Sequence, residues 1–339
     1  MTTNQRRRAL LLTVLSGGVP AVAPTITSSA PANPVYGVAY THNYTATGTE
    51  PITWSVSAGS LPPGLSLNAD TGALTGTPTA AGSFPFTVQA SNAGGTATQN
   101  ATLIVPLYDL VLATQPTHLI GYWPLNETSG TVADDKSSTG ADGTYSGGYT
   151  LNQTGIGDGY PSVLFDGSTD RIDLDVVTLD TPFDGAIGTM LVYLKVRASS
   201  VWTDGVARIP FELGVNANNR VFISKDGTNN NLLLSYRAGG TIENVLSAFS
   251  STAWFVAVVT WSKAAEEMKA YVNGVQVGST QTALGTFTGT LADGFTAIGN
   301  FTASGGANFW DGYIAHAAVW KTRLSDAEIA ALAPASFLV

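Results

Sequence analysis

The chain has 339 residues, a net charge of −9, no cysteine, 37 glycines and only 12 % charged residues. Its length suits two domains. The negative charge argues against a nucleic-acid partner, and the missing thiols exclude a disulfide framework, a thiolate metal site and a cysteine nucleophile. With 44 % hydrophobic residues there is material for two cores. The abundance of Gly, Thr, Ser and Val favours short strands and tight turns.

At the N-terminus, Arg6, Arg7 and Arg8 precede the apolar run Ala9 to Leu15, with Leu11 and Leu12 inside it, and Ala21-Val22-Ala23 follows. A basic start, an apolar centre and a small-residue end have the layout of a secretory signal peptide. The apolar run is short for that role. We read residues 1–23 as an uncleaved docking arm, with a cleaved signal peptide as the alternative. No stretch reaches the roughly 20 apolar residues of a membrane span.

Residues 24–106 alternate apolar and polar positions. Phe84, Phe86, Val88 and Ala90 point one way and Ser83, Pro85, Thr87 and Gln89 the other, the period of a half-buried strand. Pro85 removes a ladder donor, which predicts an edge strand or a bulge. Ile52–Val56 around Trp54 and Ala101–Val105 read as further strands. Between them lie turn signals, among them Pro63-Gly64, Thr71-Gly72 and Ala81-Gly82. The run Leu61-Pro62-Pro63-Gly64-Leu65-Ser66-Leu67, then Thr71-Gly72, Gly76-Thr77-Pro78, Ala81-Gly82, Phe86-Thr87-Val88 and Asn92, resembles an Ig-like domain family of bacterial and phage surface proteins. The resemblance implies a spacer sandwich with no active site. Trp54 then belongs to the core and Asp70 to a turn.

Pro106 ends that segment. The connector 107–117 contains Leu107 to Ala113, enough for two helical turns with Leu107, Leu110 and Val111 on one face. So apolar a connector is expected to pack on a domain rather than run free.

Residues 118–339 are all-β as well. In Trp254–Trp261 both alternating faces are apolar, the mark of a strand covered on both sides. Asn273-Gly274 is the preferred two-residue hairpin turn, since both positions tolerate positive φ. Ser262–Met268 reads as a turn between strands. Ser325 with Glu328 three residues later forms a capping box for a short helix, Asp326 to Leu332, stopped by Pro334. Tyr122-Trp123-Pro124-Leu125-Asn126-Glu127 with Asp135, Val163-Leu164-Phe165-Asp166-Gly167, Trp254–Trp261, Tyr271-Val272-Asn273-Gly274 and Gly312-Tyr313-Ile314 to Trp320 follow in the order of a laminin-G or concanavalin-A-like domain, which this segment resembles. The fold expected is therefore an Ig-like β-sandwich followed by a concanavalin-A-like jelly roll, with one short C-terminal helix.

Some proteins of the second fold cleave polysaccharides, which needs two carboxylates flanking the scissile bond. No Glu-x-Asp-x-x-Glu run occurs. Glu266 and Glu267 would face opposite sides of a strand, Glu212 stands alone, and Asp173 and Asp175 share a face without a glutamate partner. His42, His118 and His316 are far apart, and no His-Glu-x-x-His, Gly-x-Ser-x-Gly or phosphate-loop motif is present. The chain reads as a non-enzyme with no required cofactor. The second resemblance implies an optional Ca²⁺ on hard oxygen ligands, with Asp135, Asp166 and Asp311 at the motif positions. Ala315 stands where that family usually has a carboxylate.

Carbohydrate binding needs aromatic faces beside amides and carboxylates at a loop rim. Trp202 and Asp204, Tyr145, Tyr149, Tyr160, and Asn308 and Trp310 are the rim candidates, with core positions the plainer reading for the two tryptophans. Together these features predict a phage virion protein: a decoration protein, head fibre or tail-associated fibre. It would dock through its arm on capsid or tail proteins and present a lectin-like domain to host-surface glycans at the virion surface. Homo-oligomers would supply avidity. A secreted or bacterial cell-surface adhesin is the alternative.

Overall fold

The computed structural model describes residues 19–228, 230–300 and 308–339. The arm residues Arg6, Arg7, Arg8, Leu11 and Leu12 lie outside the described residues. The chain divides into two compact units, one from residues 19–79 with Phe84–Leu103, the other from Ala80–Ser83 with Ile104–Val339.

The first unit is an antiparallel β-structure. One three-stranded sheet joins Tyr40–Asn43, Ala73–Gly76 and Leu65–Leu67, another joins Thr53–Gly59, Gly82–Asn92 and Gly95–Val105, and Thr25–Ile26 pairs with Ala46–Thr47. Its core gathers Tyr44, Trp54, Leu74, Phe86, Val88 and Leu103, so Trp54 is an interior residue. Gly82–Asn92 is the middle strand of its sheet, which corrects the edge position expected from Pro85 but not the alternative of a bulge, since its ladder to Thr53–Gly59 is irregular. The proline is tolerated because the ladder to Thr53–Gly59 ends at the Gly59–Phe86 pair, beside a register shift between Val56 and Ala58.

The second unit is a sandwich of two large sheets. One runs in the order Val132–Ala133, Gly143–Ser146, Arg171–Leu174, Ala297–Ile298, Arg208–Asn216, Asn219–Lys225, Asn231–Ala238, Thr241–Ala248. The other runs Thr150–Gln153, Ser162–Asp166, Asp311–Trp320, Ile187–Val196, Phe255–Ser262, Glu267–Val272, Val275–Thr282, and Leu119–Trp123 also pairs with Asp311–Trp320. Every residue of Phe255–Ser262 is buried, as its two apolar faces predict. Asn273 and Gly274 have φ of 52° and 77° and close the hairpin whose last pair is Val272–Val275.

Helix Leu107–Ala113 belongs to this unit: Leu107, Leu110 and Val111 are buried, and the Trp320 indole N–H donates to the carbonyl of Thr114 at 2.8 Å. Helix Asp326–Ala331 carries the full capping box of Ser325 and Glu328. A third short helix, Val176–Asp180, was not expected, and Asp175 caps it by accepting from the amides of Val177 and Thr178.

In the first of the large sheets inward and outward side chains alternate between the bulges at Arg208–Phe211 and Gly214–Asn216. Phe211, Leu213, Val221, Ile223, Leu232, Leu234 and Tyr236 point into the core. Their neighbours Glu212, Arg220, Phe222, Ser235 and Arg237 therefore share the outer face. The same alternation puts Arg171, Asp173 and Thr144 on that face, since Ile172 and Leu174 face inward.

Candidate functional site

The rim candidates separate into core, network and surface. Trp202 is only 1 % exposed, donates its indole N–H to the carbonyl of Ser251 at 2.8 Å and packs against Phe249 and Phe255. Trp310 is fully buried in the same core. Neither ring face is available to a sugar, so both tryptophans are core residues, which corrects their rim assignment. Tyr145 is also buried. Its hydroxyl donates to Glu127 Oε2 at 2.8 Å, and its ring stacks on Tyr149 at 4.7 Å. Burial, reinforced by Glu127, raises the Tyr145 phenol well above its ordinary value. Tyr149 is half-buried, as is Tyr160. Tyr149 donates to the carbonyl of Gly130 at 3.1 Å, while Tyr160 packs beside Tyr108.

Asp204 sits in a charge network rather than open to ligand. Arg208 donates to Oδ2 from Nε at 3.0 Å and from its terminal nitrogen at 2.8 Å, and the buried Lys225 ammonium donates to Oδ1 at 2.8 Å. Burial opposes ionisation of Asp204, but Lys225 and Arg208 hold its carboxyl below the usual range. Arg208 also donates to the carbonyls of Gly167 and Phe309. One guanidinium thus ties together the loops that carry Asp166, Asp204 and Asn308. The carbonyl of Asn308 accepts from the Ile209 amide at 2.9 Å.

The three proposed calcium ligands do not fit a cation. Asp135 accepts at Oδ1 from the amides of Tyr122 and Ser137, and at Oδ2 from the Ser137 hydroxyl and the Ala141 amide, all within 2.9 Å. Asp166 is saturated in the same way by the amides and hydroxyls of Ser168 and Thr169. Burial alone would raise its carboxyl, but these four donors hold it far below the ordinary carboxylate range. A carboxylate has about four lone-pair sites, and in both residues protein donors fill them. Asp311 lies opposite Asp166 in the sheet register but meets two guanidiniums, Arg197 at 2.6 Å and Arg208 at 3.9 Å. Among the described residues no group of three acidic or histidine side chains could hold a metal.

The site that remains is an open groove of about 640 Å³ on the outer face of the Arg171–Leu174 end of the sheet, lined by Asp142, Thr144, Arg171, Asp173, Asp175 and Asp293. Asp173 is fixed by Arg171 at 2.7 Å and by the Ser146 hydroxyl at 3.0 Å. Asp175, on the same lining, also caps the Val176–Asp180 helix. From sequence Asp173 and Asp175 share a face without a glutamate partner, which does not mark them as a site. Asp142 and Asp293 come from distant loops and carried no signal of their own. Acceptors beside a guanidinium and a hydroxyl can bind the vicinal hydroxyls of a polyol.

Farther along the same face Glu212 is fully buried and pushed up to about 7 by burial, against the pull of Arg220, whose guanidinium donates to Oε1 at 3.1 Å. Its acidity is of the kind a general acid needs, but its register partners are Phe222 and Ala297 rather than a second acid.

Comparison with known proteins agrees with this architecture. Residues 19–106 match the family described as "Putative Ig domain" and residues 166–330 match the concanavalin A-like lectin/glucanases superfamily. No curated protein matches the chain. Among solved structures, domain 4 of an extracellular GH43 arabinanase from Geobacillus stearothermophilus, in complex with arabinotriose, is 15 % identical with a TM-score of 0.47, over 64 % of this chain and 98 % of that one. The binding domain of botulinum neurotoxin serotype D/C is 13 % identical with a TM-score of 0.48, over 64 % of this chain and 52 % of that one. A Trypanosoma rangeli sialidase is 12 % identical with a TM-score of 0.46, over 76 % and 42 %. The chain spans about half the length of the neurotoxin structure.

Proposed function

The chain carries an Ig-like domain followed by a concanavalin A-like domain, and from that premise we propose that it is a non-catalytic glycan-binding display protein. The observation that carries this reading is the state of the carboxylates. Those of Asp135, Asp166, Asp175, Asp204 and Asp311 are engaged by internal donors, and the one acid raised to about 7, Glu212, has Phe222 and Ala297 opposite it in register rather than a second acid. A retaining or inverting glycosidase instead needs two acids facing the substrate. The outer-face groove offers carboxylate acceptors and a guanidinium for sugar hydroxyls, with Asp173 paired to Arg171 and Asp175 to its helix amides.

The finer reading is a virion protein whose residues 1–23 dock on capsid or tail proteins, with the Ig-like domain as spacer. The basic triplet Arg6, Arg7, Arg8 supports it, since guanidiniums pair well with an acidic surface. Display in several copies makes weak sugar contacts effective.

Two measurements test the proposal. The full chain is applied to a glycan array while release of reducing ends is followed: binding without release supports it, and release overturns its non-catalytic part. The intact mass of the native protein is then taken from purified particles and from medium. A chain keeping residues 1–23 on particles supports docking, whereas a free chain starting at Pro24 overturns it in favour of the secreted adhesin.

A further inference from the structure

The outer face of the large sheet places two like charges directly opposite each other. Arg220 and Arg237 are cross-strand partners in the antiparallel register. Both guanidiniums lie on the ring of Phe222, 4.5 and 5.0 Å from its centroid. Like charges at such a position destabilise a sheet unless an anion relieves them.

Among the described side chains Glu212 is the acid that meets them, opposite Phe222 in register, and it bonds Arg220 through Oε1 alone. Its Oε2 is buried without a hydrogen-bond partner. So are the Ser235 hydroxyl, opposite Phe222 from the other side, and Nε of Arg237. Buried polar atoms are nearly always partnered, and three orphans around one aromatic ring point to a ligand that supplies their partners.

We propose that this face binds the carboxylate of an acidic sugar, with Arg237 reading the carboxylate while the Ser235 hydroxyl and Glu212 Oε2 take ring hydroxyls. The inference deepens the glycan-binding reading and rests on it. Arg237 is partly exposed, the most accessible of these side chains, and is the point of entry. Its long side chain swings off Phe222 toward the anion, as arginine stems can, and uncovers the oxygens behind it. The mixed chemistry selects the ligand. A phosphate brings only acceptors and would be repelled by Glu212, whereas a uronic acid brings one carboxylate for Arg237 and hydroxyl donors for the two oxygens. The groove lined by Asp142, Asp173 and Asp293 lies on the same face, and its acids would turn the ligand's negative end toward the arginines.

The test uses the full chain, with oligogalacturonate and a neutral maltooligosaccharide as probes beside the glycan array. The native chain is expected to bind oligogalacturonate, more weakly as salt rises. Arg237→Gln is expected to lower that affinity at least tenfold, Ser235→Ala several-fold, and neither to change the array's neutral ligands. Unchanged thermal midpoints show that the variants fold. If Arg237→Gln binds oligogalacturonate as the native chain does, or if the native chain binds only neutral glycans, this site is overturned while the glycan-binding reading stands. Binding to no glycan at all overturns both.

Discussion

His316 and Asp158 are both fully buried, and imidazole Nε2 lies 3.0 Å from carboxylate Oδ2. His316 reaches that position because it is the extra residue of a bulge. Val192 pairs with Ala317 and Tyr193 with Ala315, which leaves His316 between them at φ 49°. The other ring nitrogen meets the Tyr122 hydroxyl at 2.8 Å, so the contact ties the loop carrying Asp158 to strands Leu119–Trp123 and Asp311–Trp320. Removing one member leaves the other polar group buried without its partner. We expect His316→Gln or Asp158→Asn to cost about 1–3 kcal/mol. The double variant should cost less than the sum, since the second change removes an already orphaned partner. Urea unfolding followed by tryptophan fluorescence checks both, and additive losses would show that the two residues do not act as a pair.

Glu212 makes stability depend on pH in an uncommon direction. Its folded carboxyl is raised to about 7 from an ordinary value of 4.5, because burial outweighs the attraction of Arg220 and Arg237. Between those values the folded state binds more protons than the unfolded state. Its contribution is thus fully present below about pH 4.5 and is lost as pH rises through about 7. The difference corresponds to about 3 kcal/mol between pH 4.5 and 8. Glu212→Gln keeps an acceptor for Arg220 without the titration. The variant-minus-native stability is therefore expected to rise across that window. A flat difference from pH 5 to 8 would place the Glu212 titration elsewhere.

What the sequence made legible is what local chemistry determines. Asn273-Gly274 must turn, because both residues accept positive φ, and Ser325 with Glu328 must start a helix, because the pair satisfies its orphan amides. The ordered motifs from Tyr122 to Trp320 carried the second fold for the same reason: each is a short pattern with its own geometry. The site was less legible because it depends on register and on loop placement. Nothing local tells whether Trp202 turns its ring to solvent or under Ser251. Arg220 and Arg237 are 17 positions apart in sequence, and only the pairing of their strands sets one against the other. Pro85 shows the same limit, since the end of a ladder, invisible in sequence, lets it sit on a middle strand.

The occupied carboxylates predict indifference to calcium. Arg208 lies where Asp204, Asp311 and the carbonyls of Gly167 and Phe309 converge, so a guanidinium supplies the positive charge there. The thermal midpoint should be the same in millimolar calcium and in chelator, and a rise with calcium would reveal another set of ligands. Arg208→Ala, by contrast, removes the donor to Asp204 Oδ2 and to two loop carbonyls while Lys225 still holds Asp204 and Arg197 still holds Asp311, and should cost about 1–3 kcal/mol. Arg208→Lys should recover only part of this, since an ammonium cannot span the same acceptors.

Trp202 separates a packing role from a binding role. Its ring fills the core between Phe249 and Phe255, and its N–H satisfies a loop carbonyl. Trp202→Ala should destabilise the second unit by about 3–5 kcal/mol, visible as a lower urea midpoint. Trp202→Phe keeps most of the volume and loses only the hydrogen bond, so its cost should fall to about 1–2 kcal/mol. At a temperature where Trp202→Phe is fully folded, its glycan affinity should equal that of the native chain, because the ring face never meets ligand. A selective loss of glycan affinity in that folded variant would return Trp202 to the binding rim.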